Sequence, residues 1–318
     1  MDDGRANLLI FSGNGCRQLA ERVAQHIGTK VGDAVVSTWT NGEIRVQLRE
    51  HVRGRDVFIF QSFGRNVNDR VMELLVMLDA ARRASAARIT VVAPYFPYSK
   101  QEKKFRGREP ISARLVADLL TSAGATRLLT MDLHEGAIQG FFNIPVDHLP
   151  SIPYVSRFLA DRGLCGPDLV VVAPDEGAVE EAVLLSGLLG CGIAVVFKRH
   201  MEAAPEAVQT VEVVGDIDGK RALIWDDMIL GGSTLVNAAD MALERGARSV
   251  HACITHPVLC GDAVKRIEES SLAELIVTDS IPLPEGLEST KITTISISSL
   301  LGDAIARISR NDSVSELL

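Results

Sequence analysis

The chain has 318 residues, 47% of them apolar and 23% charged, enough to bury two cores of ordinary domain size. Its net charge of −8 argues against nucleic acid or an acidic membrane as the main partner, and the five scattered cysteines have neither metal-ligand spacing nor the even count of a disulfide framework. The acidic start is unlike a signal peptide, and no apolar stretch approaches the ~18 residues of a membrane span, so a soluble cytoplasmic protein is the expectation.

Residues 7–12 read as a strand, Gly13-Asn14-Gly15 as a turn and 16–27 as a helix, together a βα unit. The turn could touch phosphate, but two glycines read more simply as a plain turn. Within 36–50, Asn41-Gly42 is a hairpin signal, and Ile44, Val46 and Leu48 alternate with Arg45, Gln47 and Arg49 as a half-exposed antiparallel strand. Such an insertion suits a flap or an oligomer contact. A strand at 56–61, a helix at 68–84 and a strand at 89–94 follow. Residues 99–108, SKQEKKFRGR, then concentrate positive charge in an acidic protein. They lie past the carboxyl end of a parallel-type strand, where open α/β sheets bind ligands, and read as a mobile basic lid over a polyphosphate. Next come a helix at 111–123, capped by Ser112 or preceded by Pro110, and a strand at 127–131 running into Asp132-Leu133-His134. His134, beside an acid at a strand end, is a candidate metal or phosphate ligand.

Two prolines within 149–154 mark the expected junction between an N-terminal domain, 1–148, and a C-terminal domain, 149–318. The α/β pattern then restarts, with a strand at 169–173 ending in Pro174-Asp175, a helix at 179–189 and a strand at 193–197 ending in Lys198-Arg199-His200. Residues 202–209 read as a loop or short helix. Strands at 211–214 and 222–225, a helix at 235–244, a strand at 249–255, a helix at 262–269, strands at 275–278 and 292–297 and a helix at 300–310 complete the chain. Residues 88–93 resemble 248–255, which suggests a duplicated α/β domain with ligand loops of both halves meeting in one site.

The most informative stretch is 221–235, RALIWDDMILGGSTL. An apolar strand leads to Asp226 and Asp227, then to Leu230, Gly231, Gly232, Ser233 and Thr234 at the start of a helix. Glycines let backbone approach a phosphate, and a helix N-terminus offers it unpaired N–H groups. Ser233 and Thr234 can donate hydroxyls or cap the helix. Paired carboxylates at a strand end can accept from a vicinal diol or hold Mg²⁺ through water.

In order along nearly the whole chain, Asn41-Gly42-Glu43, the helix end Asp79 to Ser85, Tyr95 to Gln101, Asp132-Leu133-His134, Ile138 to Phe142, Pro174-Asp175, Lys198-Arg199 and the loop at Asp226 resemble the ribose-phosphate diphosphokinase family. That family makes phosphoribosyl pyrophosphate from ATP and ribose 5-phosphate. The resemblance implies two similar phosphoribosyltransferase-like (type I) α/β domains with parallel sheets and the active site between them. It also implies Mg²⁺ dependence and a homo-oligomer, a hexamer or another assembly of dimers. It places ATP at Trp39, Asn41, Gly42, Glu43, Lys100, Gln101, Glu102 and Lys103, and Mg²⁺ at His134 and Asp175. Lys198 and His200 take the catalytic positions. His200, Asp226, Asp227, Leu230, Gly231, Gly232, Ser233 and Thr234 take the ribose 5-phosphate positions.

Several site positions depart from the family pattern. Trp39 and Asn41 stand for Phe and Asp, Lys100 and Glu102 for Arg and Asp, and His200 for Arg; Glu135, Ala137 and Glu180 also differ. In the phosphate loop Leu230 replaces an Asp, Gly231 a Thr and Ser233 a Gly. Losing one charge-assisted hydrogen bond costs on the order of 1.5–3 kcal/mol. Three readings follow: the synthase itself, a diphosphokinase for a different ribosyl 5-phosphoryl acceptor, or a non-catalytic subunit that regulates an active synthase.

Overall fold

The computed structural model describes residues 7–199, 210–284 and 286–317. By their internal contacts these form two units. The first comprises 1–150, 279–282 and 296–318, and the second 151–278 and 283–295. The division after residue 150 falls in the proline-marked segment. The contiguous C-terminal domain expected at 149–318 does not describe the second unit, because the last helix and a short segment at 279–282 group with the first.

In the first unit, strands β1 (Leu8–Ser12), β4 (Asp56–Phe60), β5 (Arg88–Ala93), β6 (Arg127–Met131) and β7 (Val146–Leu149) form a parallel sheet in that order. Every residue of β4 is buried, the mark of a strand covered on both faces. Strands β2 (Ala34–Thr38) and β3 (Ile44–Leu48) form a separate antiparallel hairpin. Helices α1 (Arg17–Ile27), α2 (Val67–Arg83) and α3 (Ser112–Ala123) connect the strands. Helix α8 (Ser298–Arg310) returns from the far end of the sequence to pack on α1. A Cβ at Gly302 would lie 2.5 Å from the His26 ring, so only glycine allows that approach.

The second unit has α4 (Ile152–Asp161), β8 (Leu169–Ala173), α5 (Val179–Leu189), β9 (Gly192–Arg199), β10 (Thr210–Val214), β11 (Arg221–Ile229), α6 (Ser233–Glu244), β12 (Ser249–Pro257), α7 (Ala263–Glu269), β13 (Glu274–Thr278) and β14 (Ile292–Ile295). Its sheet runs β10-β9-β8-β11-β12-β13-β14, with only β10 antiparallel. The period-two pattern sorts its side chains: Val170, Val172, Ala222 and Ile224 join the core under α6 and α7, while Leu169, Val171, Leu223 and Trp225 join the core under α4 and α5. Each such buried aliphatic contributes roughly 1.5–3 kcal/mol.

The repeat suggested by residues 88–93 and 248–255 has a structural counterpart. Each unit contains five parallel strands in simple chain order, β1-β4-β5-β6-β7 and β8-β11-β12-β13-β14, and β5 and β12 are both third. Each also carries an inserted strand pair, β2–β3 or β9–β10, between its first and second strands.

Four local expectations change. Residues 150–154 are not merely a junction: Pro153 lies in the first turn of α4, where its missing N–H has no helical partner to lose. Strand β7 was not expected. Strand β11 does not stop at Trp225 but continues through both aspartates to Ile229, held by β12. Ser112 does not cap α3, since its hydroxyl donates to Gln101 Oε1 at 2.6 Å. His200 and the stretch 202–209 lie outside the described residues.

Candidate active site

In the first unit, the β2–β3 hairpin turns through residues 39–43. Gly42 N–H donates to Trp39 O at 2.9 Å and Trp39 N–H to Glu43 O at 2.7 Å, with Gly42 at φ 93°. That left-handed glycine lets the turn close with the strands' twist. Asn41 Oδ1 accepts from Glu43 N–H at 3.2 Å, so its side chain shapes the turn. Trp39 is 52% exposed, and the Arg45 guanidinium stacks 4.7 Å from its ring centre.

The chain after β5 makes a 3-10 turn at Ser99–Gln101 and then the basic loop. Tyr98 anchors it from a left-handed φ of 59°, its hydroxyl donating to Asn68 Oδ1. Farther on, Glu109 Oε2 accepts the amides of Phe105 and Arg106, each at 2.8 Å. The lysines point outward, but Glu102 does not: its side chain is buried and pairs with Lys103 at 3.0 Å. Burial opposes the charged Glu102. That effect is outweighed by its own backbone amide, by Lys103 and then by His134, so the carboxyl is held below its usual range. Lys103 is held above its usual range, chiefly by Glu102, and also reaches Glu135 at 3.6 Å. The loops after β5 and β6 therefore share one charge cluster containing Glu102, Lys103, His134 and Glu135. Glu102 Oε2 and the buried Ser99 hydroxyl have no hydrogen-bond partner among the described residues.

The Gly13-Asn14-Gly15 turn is closed to ligand. Asn14 N–H donates to Glu73 Oε1 at 2.7 Å and Gly15 N–H to Gln61 Oε1 at 2.9 Å. A Cβ on Gly15 would sit 2.2 Å from the Ser62 carbonyl oxygen.

In the second unit, β8 and β11 pair in parallel as far as Val172 and Ile224, just before Asp175 and the aspartate pair. Asp175 Oδ1 accepts from Gly177 N–H at 3.0 Å, while Asp226 Oδ1 accepts from Asp227 N–H at 2.9 Å. Burial, then the Asp227 charge and hydrogen bond, then the Asp175 charge push the Asp226 carboxyl up to about 8; the Asp227 amide only partly offsets them. A cation placed beside the pair would relieve this repulsion. Lys198 lies on β9, its backbone paired with Val211 on β10.

Leu230 follows β11 and is 38% exposed. Gly232 is the N-cap of α6 at φ 79°; Ser233 and Thr234 form the first turn, and no side chain caps it, so of their two expected roles capping is not the one seen. Three successive carbonyls before the helix are held from the β12–α7 segment. Ile229 O accepts from Leu259 N–H at 3.1 Å, Leu230 O from Cys260 N–H at 2.9 Å and Gly231 O from Arg266 Nη1 at 2.7 Å. Sequence reading missed Arg266, Glu73 and Gln61; nothing in their local pattern sets them apart.

Residues 8–124 match the family model described as the N-terminal domain of ribose phosphate pyrophosphokinase, and residues 194–318 that of the phosphoribosyl synthetase-associated domain. The ribose-phosphate pyrophosphokinase of Oceanobacillus iheyensis is 45% identical over 312 residues, covering 98% of this chain and 97% of that protein. That of Caldanaerobacter subterraneus subsp. tengcongensis is 46% identical over 311 residues, covering 98% of each. The crystal structure of phosphoribosylpyrophosphate synthetase from Mycobacterium smegmatis superposes with a TM-score of 0.90 at 40% identity, over 96% of this chain and 99% of that one. The chain therefore belongs to the ribose-phosphate pyrophosphokinase family.

Proposed function

We propose that this protein transfers the β,γ-diphosphoryl group of ATP to the 1-hydroxyl of ribose 5-phosphate, giving phosphoribosyl pyrophosphate and AMP. The observation that carries this reading is the end of β11. A carboxylate pair strained by its own negative charge lies a few residues before an uncapped helix N-terminus. The first calls for hydroxyl donors or a cation, the second for an anion. A phosphorylated sugar supplies hydroxyls and phosphate at once. In this reading Asp226 and Asp227 receive the ribose hydroxyls, and residues 231–234 hold the 5-phosphate.

Mg²⁺ fits the donor set of the second unit, since Asp175, Asp226 and Asp227 are hard oxygen ligands whose mutual repulsion a cation relieves. Among the described residues, no three His, Cys, Asp or Glu side chains are grouped to hold a metal, so an ion here would take at most two of these carboxylates directly. His134 is the expected contact in the first unit. When bound, the ion neutralises polyphosphate charge.

For the nucleotide, the Trp39 ring and Glu43 offer a stacking face and an acceptor. Lys100 and Lys103 offer cations to the phosphates, and beside them the buried Ser99 hydroxyl and Glu102 Oε2 have no hydrogen-bond partner among the described residues. The ribose 1-hydroxyl oxygen attacks the β-phosphorus in line, and the bond to the α,β-bridging oxygen breaks to release AMP. Positioning and charge neutralisation by Lys198 and the basic loop supply most of the acceleration. A second reading, with a different ribosyl phosphate as acceptor, rests on Leu230, an exposed apolar side chain three residues after Asp227. Self-assembly is proposed on the exposed Val183, Leu184 and Leu188 of α5 and Leu115 of α3, and light scattering tests it.

The deciding experiment measures AMP released from ATP and Mg²⁺ with and without ribose 5-phosphate, beside a Lys198→Ala control. Ribose-dependent AMP that falls about 10²–10³-fold in the control is expected. ATP binding without ribose-dependent AMP refutes the reading and turns the search to other acceptors or to a regulatory role.

A further inference from the structure

We propose that Arg266 is a positioning residue for the acceptor phosphate, acting through the peptide between Gly231 and Gly232. This inference rests on the ribose 5-phosphate reading above. The peptide is trans and planar, so its C=O and N–H point in opposite directions. Arg266 Nη1 holds the Gly231 carbonyl at 2.7 Å, and that contact turns the Gly232 N–H the other way. The two preceding carbonyls are fixed by the amides of Leu259 and Cys260, but neither contact controls the peptide that enters α6. Arg266 does so, and it comes from a different helix 35 residues along the chain.

The local packing fits this role. A Cβ on Gly231 would meet Arg266 Nη1 at 3.4 Å. One on Gly232 would rest on Ala263 of the same helix at 3.7–3.9 Å, from a backbone already left-handed at φ 79°. Helix α7 thus backs the turn at two consecutive residues. The amides of Gly232, Ser233 and Thr234 enter α6 without a capping side chain, so the direction of that first peptide decides whether they converge on one anion. Among the described residues Arg266 has no carboxylate partner, and its charge also favours an anion here.

The test compares Arg266→Met and Arg266→Lys with the wild type and with Lys265→Met, the exposed neighbour on α7. Steady-state AMP release and thermal unfolding are measured. The expected result is a KM for ribose 5-phosphate raised about tenfold in Arg266→Met, with kcat and the KM for ATP within twofold. Arg266→Lys, which keeps one donor, recovers part of the loss, and Lys265→Met changes neither KM. An active wild type with an unchanged Arg266→Met variant overturns the inference alone. So does a variant in which kcat, both KM values and the melting temperature all deteriorate together without recovery by lysine, since that marks a general packing role. A wild type without ribose-dependent AMP release overturns the functional reading, and this inference with it.

Discussion

Replacing Asp226 with asparagine is expected to stabilise the ligand-free protein while removing its activity. Burial, Asp227 and Asp175 raise the folded carboxyl from 3.8 to about 8. The folded state therefore keeps a proton that the unfolded chain has lost, so this group favours folding below about pH 4 and its contribution fades as pH rises through about 8. At pH 7 roughly three pH units above the unfolded value, at about 1.4 kcal/mol each, put the folding free energy forgone on the order of 4 kcal/mol. Asparagine keeps an oxygen to accept the Asp227 N–H and carries no charge. Urea unfolding without ligand should give Asp226→Asn an advantage of about 2–4 kcal/mol at pH 8 that shrinks by more than half at pH 5. Millimolar Mg²⁺ at pH 8 should narrow the gap by stabilising the wild type, and AMP release by the variant should fall at least ~10²-fold. An equal advantage at both pH values, or a variant less stable than wild type at pH 8, refutes the electrostatic account of the site.

Glu73→Ala is expected to cost about 3–5 kcal/mol, because the buried carboxylate ties together Asn14, Gln61 and Arg70; a loss under about 1 kcal/mol in chemical unfolding would show the turn holds without it. Arg88→Met strands Asp56, which is buried, pushed above its usual range by that burial and paired with Arg88 at 2.5 Å. Its unfolding free energy should fall by about 3 kcal/mol at pH 7 and recover toward pH 4 as Asp56 takes up a proton. A deficit that ignores pH contradicts this account.

Most strands and helices were legible because their signals are local. The β4 run is apolar from Val57 to Phe60, the hairpin announces itself with Asn41-Gly42, and α1 and α8 end at the left-handed Gly28 and Asn311. What stayed hidden depends on partners far along the chain. Two aspartates oppose strand formation by propensity, yet β11 runs through them because β12 offers a matching edge. Strand β7 is short and mixed in polarity, and only pairing with β6 defines it. The proline in α4 reads equally as a breaker and as a helix opener. At the site, the aspartates and glycines showed in the motif. Their surroundings did not: the lock on Gly13 to Gly15 comes from Gln61 and Glu73, and the grip on Gly231 from Arg266.

The return of α8 to the first unit bears on how the protein is made. Its buried row, Leu301, Ala304, Ile305 and Ile308, belongs to a body otherwise built almost wholly from residues 1–150, yet it leaves the ribosome after the entire second unit. The first sheet can form early, but α1 must wait through the synthesis of about 150 further residues for its neighbour. During that interval the nascent first unit presents an unfilled apolar seat, while the second unit, apart from residues 283–295, is already available to fold. The two units thus reach completion in nearly the reverse of the order in which they begin.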